Sequence, residues 1–108
     1  PALASNRTIT LPAPVAGATF KFIYAGAAEE AENLIIVTPG NSNFFLGNVQ
    51  HLDTNADNVG VYANGSSNSK LTLTDFGSME INIVGKDSTN YYIWGNVVSE
   101  DAPAFADQ

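Results

Sequence analysis

The sequence predicts an all-β fold, a small antiparallel β-sandwich or barrel, and three observations carry that prediction. Short runs of alternating polar and apolar residues recur along the chain, as in Arg7–Leu11, Ala18–Tyr24, Lys70–Thr74 and Ser78–Ile83. Alternation of this kind gives a strand one apolar face and one polar face. Clusters of Gly, Pro, Asn and Ser separate these runs at intervals of roughly 8–12 residues, the rhythm of a sandwich or barrel. Only Gly26–Glu32 strings helix formers together. That segment is well below the ~12 residues an independent helix needs, so it reads as a loop with at most one helical turn.

Taken in order, Pro1–Asn6 is an N-terminal arm without periodicity. Arg7–Leu11 is a strand with Ile9 and Leu11 on one face, ended by Pro12 and Pro14, which cannot donate to a central ladder. Ala16-Gly17 turns the chain into Ala18–Tyr24, where Phe20, Phe22 and Tyr24 share a face and Thr19, Lys21 and Ile23 share the other. Leu34–Val37 is a continuous apolar run, as expected of a strand buried on both faces. After the Pro39–Asn43 turn, Phe44–Leu46 and Val49–Leu52 read as two strand segments with a bend or bulge at Gly47-Asn48. Val59–Tyr62 is a short strand, Asn64–Ser69 a surface turn, and Lys70–Thr74 a strand with Leu71 and Leu73 inward.

The strongest local signal is Ser78–Val98, a hairpin turning through Gly85–Asn90. Met79, Ile81 and Ile83 alternate with polar residues on its first strand. Tyr91-Tyr92-Ile93-Trp94 load both faces of the second strand with large side chains, so a second sheet or another subunit is expected to cover each face. One domain follows: arm 1–6, β core 7–98, and a C-terminal tail 99–108 with a lone aromatic at Phe105.

The chain has 108 residues, 4 Lys plus Arg against 11 Asp plus Glu, and a formal net charge of −7. A phosphate backbone is repelled and no basic stripe is present, so neither nucleic acid nor an anionic membrane is an expected partner. No apolar stretch approaches the ~18 residues of a spanning helix. Absence of cysteine excludes disulfides and thiolate chemistry. For a small domain without such staples, oligomerisation is one route to stability.

Candidate chemistry is sparse. Asp53, Asn55 and Asp57 place oxygen ligands at alternate positions, as at the start of a Ca²⁺ loop. Asn58 and Asn64 stand where that loop needs Gly and a bidentate Glu, so a polar turn satisfying its own backbone is the preferred reading, with no metal and no cofactor. His51 is the only histidine, and no Gly-x-Ser-x-Gly elbow places Ser42, Ser69 or another serine beside it, so no catalytic residue is assigned and no enzyme is expected. Glu29, Glu30 and Glu32 read as a solvated acidic loop rather than paired glycosidase carboxylates. Tyr91, Tyr92 and Trp94 suit a core or subunit contact first, and a sugar-stacking surface second. The sequons at Asn6 and Asn64 are expected to stay unmodified, since no leader segment is read.

Three stretches together resemble a bacteriophage virion module: RTITLPAPVAGATFKFIYAG (7–26), NLIIVTPG (33–40) and NSKLTLTDFGSMEINIVGKDSTNYYIWG (68–95). The ending VVSEDAPAFADQ fits the same pattern. The family they are similar to is the head decoration, or capsid cement, proteins of tailed phages, with fibre tips sharing much of the pattern. One departure is Tyr91 at the first aromatic of the hairpin, where Trp is usual, with Trp94 three residues on. The resemblance carries over no catalytic residues. Leu11, Pro12, Phe20, Phe22 and Asn90–Tyr92 would serve as scaffold. It implies a homotrimer that binds the major capsid protein on the outer surface of the virion, assembled in the bacterial cytoplasm. Leu3, Phe105, Tyr91, Tyr92 and Trp94 are the expected capsid or subunit contacts. The alternative is a fibre-tip or carbohydrate-binding module for a host glycan.

Overall fold

The structure, a computed structural model, describes residues 3–25, 31–53 and 58–108. Its strands are β1 (Arg7–Thr10), β2 (Thr19–Ala25), β3 (Leu34–Val37), β4 (Phe44–Asp53), β5 (Val59–Asn64), β6 (Lys70–Leu73), β7 (Phe76–Gly85), β8 (Asn90–Ser99) and β9 (Ala104–Ala106). They form a four-stranded sheet in the order β1-β3-β6-β9 and a five-stranded sheet in the order β2-β7-β8-β4-β5. The two sheets pack face to face as a sandwich.

Most neighbours are antiparallel, but each sheet contains one parallel pair, β1 with β3 and β4 with β8. The cause is topological. After β1 the chain crosses to the other sheet as β2 and returns as β3, and a strand that returns by a crossover runs in the original direction. The β7–β8 hairpin is as its sequence predicts, with Ile83 opposite Ile93 and Gly85 opposite Tyr91.

Two expectations need correction. The segments on either side of Gly47 form one continuous strand, not two with a bend. Gly47 has φ +140°, and a Cβ there would lie 2.0 Å from the Ile93 carbonyl oxygen, so glycine serves the close approach of β4 to β8. The 99–108 segment is not a free tail. Ser99 completes β8, and β9 pairs with β6, setting Phe105 opposite Leu71. Phe105 is half-buried, its ring 6.1 Å from that of Phe45. Leu3, in the N-terminal arm, also packs against the core. Of the expected helical turn, positions 26–30 lie outside the described residues, and Ala31 and Glu32 form a bend.

The core joins the inner faces of both sheets. Ile36, Leu71 and Leu73 come from the smaller sheet; Phe45, Val49, Ile81, Ile83, Ile93 and Val97 come from the larger, and all are buried. Each such side chain contributes about 1.5–3 kcal/mol on burial. Phe20 lies edge-on to Tyr91, with ring centroids 6.2 Å apart, and Tyr24 edge-on to Phe76 at 5.0 Å. Tyr91 is fully buried and its hydroxyl donates to the Pro12 carbonyl, tying the Pro-rich turn after β1 to the hairpin. Burial pushes the Tyr91 phenol above its ordinary pKa. Ile35 is half-buried, so the second face of β3 is covered only in part.

The hairpin turn is held by Asp87. Its Oδ1 accepts from the Thr89 and Asn90 amides, both at 2.8 Å, and Oδ2 accepts from Lys86 Nζ at 3.0 Å. These bonds, the two amides foremost, bring the carboxyl down to about 2 from 3.8. A depressed carboxylate stabilises the fold above the unfolded value and loses that contribution as the pH falls through the folded one. Melting temperature is therefore expected to decline between pH 4 and pH 2, and Asp87→Asn to flatten that decline. Thermal scans across the window check both.

Candidate functional site

The outer face of the five-stranded sheet combines exposed aromatic rings with neutral amides. Strand register fixes which side chains are neighbours. Lys21 lies opposite Asn82, Asn82 opposite Trp94, Trp94 opposite Asn48, and Asn48 opposite Tyr62, giving one row across all five strands. The row toward the hairpin turn carries Val84, Tyr92 and Leu46. The row on the other side carries Ile23, Glu80, Asn96 and Gln50. Trp94 is 47% exposed, Tyr92 43%, Ile23 65% and Tyr62 75%.

Alternation makes this face. Because Tyr91, Ile93 and Val97 point inward, Tyr92, Trp94 and Asn96 must point outward. β8 is the central strand, hydrogen-bonded to β7 and β4, so Trp94 is presented from the stiffest part of the sheet. Directly after it, Gly95 has φ +152°, and a Cβ there would lie 2.0 Å from the Glu80 carbonyl oxygen. On the β2 side of Trp94 lies a hollow of about 210 Å³, bounded by Thr19, Lys21, Asn82 and Val84. Lys21 Nζ and Glu80 Oε2 are 3.0 Å apart, so the two charges of these rows cancel locally.

The expected contact residues divide. Tyr92 and Trp94 lie on the open face. Tyr91 is a core residue with no surface to offer a partner. Phe105 and Leu3 are spent on contacts within the chain, so neither is a free anchor. The sequence missed this because an aromatic flanked by alanines has no period, while its pairing partner Leu71 is some thirty residues away in sequence.

The remaining candidates are structural or undescribed. His51 is buried, and its Nε2–H donates to the Ser99 carbonyl at 3.1 Å. Its Nδ1 has no hydrogen-bond partner among the described residues. Ser69 Oγ donates to Asn41 Oδ1 at 2.5 Å, at the opposite end of the sandwich. Phe45 binds the Asn68 carbonyl, and His51 is six residues further along β4, about 20 Å away at the strand rise. Ser42 is exposed in the turn before β4. Asn55 and Asp57 of the calcium-like loop lie outside the described residues, as do Glu29, Glu30 and the Asp53 side chain. Among the described residues no group of three or more acidic or imidazole side chains is placed to hold a metal. Both sequon asparagines serve the backbone. Asn6 Oδ1 accepts from the Asn33 amide at 2.8 Å, and Asn64 Oδ1 accepts from the Ser66 and Ser67 amides at 2.9 Å each.

Comparison with protein-family models, with curated proteins and with solved structures finds no match to this chain.

Proposed function

We propose that this protein is a structural virion component that binds the outside of a tailed-phage capsid as a homotrimer and stabilises the lattice, with no reaction of its own. The observation that carries the assembly part is the outer edge of the larger sheet, where β5 pairs with β4 and with no further strand among the described residues. β5 is six residues long, VGVYAN, without charge or proline, and it exposes Val59 and Tyr62. Proteins that stay monomeric blunt such edges with charge, proline or brevity. The other edges here follow that rule: β1 has four residues and carries Arg7, β2 carries Lys21, and β9 has three residues. An unblunted edge accepts a strand or an apolar surface from a neighbouring molecule.

The capsid as partner rests on the sequence resemblance. Three copies in one particle combine modest contacts into tight binding, because the second and third contacts are made at high effective concentration. The acidic balance keeps the rest of the surface soluble. The test is co-sedimentation with heads assembled from the major capsid protein of the same phage. Wild type is expected to pellet with the heads at a fixed ratio. Val59→Lys/Tyr62→Lys, which puts two charges on the β5 edge, is expected to lose at least about tenfold in apparent affinity as avidity disappears. Wild type that stays in the supernatant contradicts the reading.

A further inference from the structure

We propose that the hollow beside Trp94 is a binding site for one ring of a neutral carbohydrate, a hexopyranose within a glycan chain. This goes beyond the capsid reading and does not rest on it. The hollow lies on the β2 side of Trp94, whereas Tyr62 and the β5 edge lie on the other side, two strands away.

Three features of its lining select this ligand class. Trp94 presents its indole from the central strand, nearly half exposed, on a backbone paired on both sides. The ring's electron-rich face attracts the weakly positive C–H face of a sugar. Asn82 flanks the indole on β7 and lines the hollow, while Asn48 flanks it on β4, away from the hollow. A carboxamide both donates and accepts, which matches hydroxyl groups that do the same. Thr19 adds a hydroxyl on the hollow's rim.

Volume sets the size. At about 210 Å³ the hollow is smaller than the roughly 300–1,000 Å³ of sites for drug-sized ligands, and it suits a single ring. Charge sets the neutrality. The Lys21 ammonium at the rim is already bonded to Glu80, and the chain as a whole carries −7. An anionic sugar or a nucleotide would find no free cation here and would be repelled at long range.

Trp94 is the chain's only tryptophan, so intrinsic fluorescence reports on the site without labelling. Maltotetraose, cellotetraose and N-acetylchitotetraose are the probes, followed by an array of neutral and sulfated glycans. At least one neutral glycan is expected to give a saturable quench or blue shift. By calorimetry or array signal, Trp94→Ala should bind at least about tenfold more weakly, and Trp94→Phe should recover part of the loss. Asn82→Ala should weaken binding about fivefold, the value of one neutral hydrogen bond. Both side chains are on the surface, so circular dichroism and melting temperature should stay at wild-type values.

The proposal is overturned by any of three results: no neutral glycan bound better by wild type than by Trp94→Ala, preference for sulfated glycans, or a change of oligomeric state in Trp94→Ala without a glycan effect. The last would make this face a protein contact. Loss of capsid binding in the β5 edge variant leaves the Trp94 titration unaffected, so the two proposals fail separately.

Discussion

Gly95→Ala is expected to be among the most destabilising single substitutions in the larger sheet. A methyl group at this position would sit 2.0 Å from the Glu80 carbonyl oxygen and 3.1 Å from Ile81 Cα, both backbone atoms of the paired strand. No rotamer change relieves a clash between backbone and Cβ, so β8 must move away from β7 at the centre of the larger sheet. The backbone is also at φ +152°, which side-chain-bearing residues rarely adopt. Steric and conformational costs add, and together they exceed about 4 kcal/mol, a large share of the 5–15 kcal/mol that holds a domain of this size together. Gly47→Ala meets the Ile93 carbonyl in the same way and should behave alike. Gly40→Ala is the control, because nothing among the described residues lies within 4 Å of its added methyl. It should stay within about 0.5 kcal/mol of wild type. Urea unfolding of the three variants checks the ordering. A Gly95→Ala protein within about 1 kcal/mol of wild type would mean that β7 and β8 do not approach as described.

Removal of residues 104–108 should cost about 3–5 kcal/mol and lower the melting temperature by more than about 10 °C. The sequence alone suggests the opposite, a docking tail whose removal leaves the domain folded. In the structure these residues close one side of the smaller sheet. Phe105 covers Leu71 and Phe45. Gln108 Nε2 donates to the Thr38 carbonyl at 2.8 Å and to Thr38 Oγ1 at 3.1 Å, while its amide donates to Ser69 Oγ at 2.9 Å. Thr38 and Ser69 are both fully buried with these bonds in place, so deletion removes their Gln108 partners and opens this part of the sheet to water. Phe105→Ala alone should lose about 2 kcal/mol, since the ring is only half-buried. An unchanged melting temperature after deletion would return 99–108 to the status of a free arm.

These two results bear on what a sequence of this kind discloses. Period-two alternation located the strands, and the polar Gly85–Asn90 cluster located the hairpin, because both signals are local. Parity along Tyr91–Trp94 implies that two of the four large residues face away from the core. Which two depends on the hairpin register, and the inward set is the one continuous with Val97. The rest depended on contacts distant in sequence. The parallel pairing of β4 with β8, which sets Asn48 beside Trp94, joins residues 46 positions apart and leaves no periodic trace. β9 is three residues with one large apolar side chain, too short for any alternation to register. Gly47 reads as a bend from sequence because glycine interrupts strands. Its actual role, admitting the backbone of a neighbouring strand, is visible only once that neighbour is known. The uncharged β5 edge was likewise hidden, since being an edge is a property of strand order.

Sedimentation velocity of the purified chain at micromolar concentration tests the proposed assembly most directly. One species with three times the 11.4 kDa chain mass is expected, falling to a single-chain mass when Val59 and Tyr62 are both replaced by lysine. A wild-type protein that sediments as one chain at that concentration, indistinguishable from the doubly charged variant, would contradict the claim that the β5 edge is built to be covered.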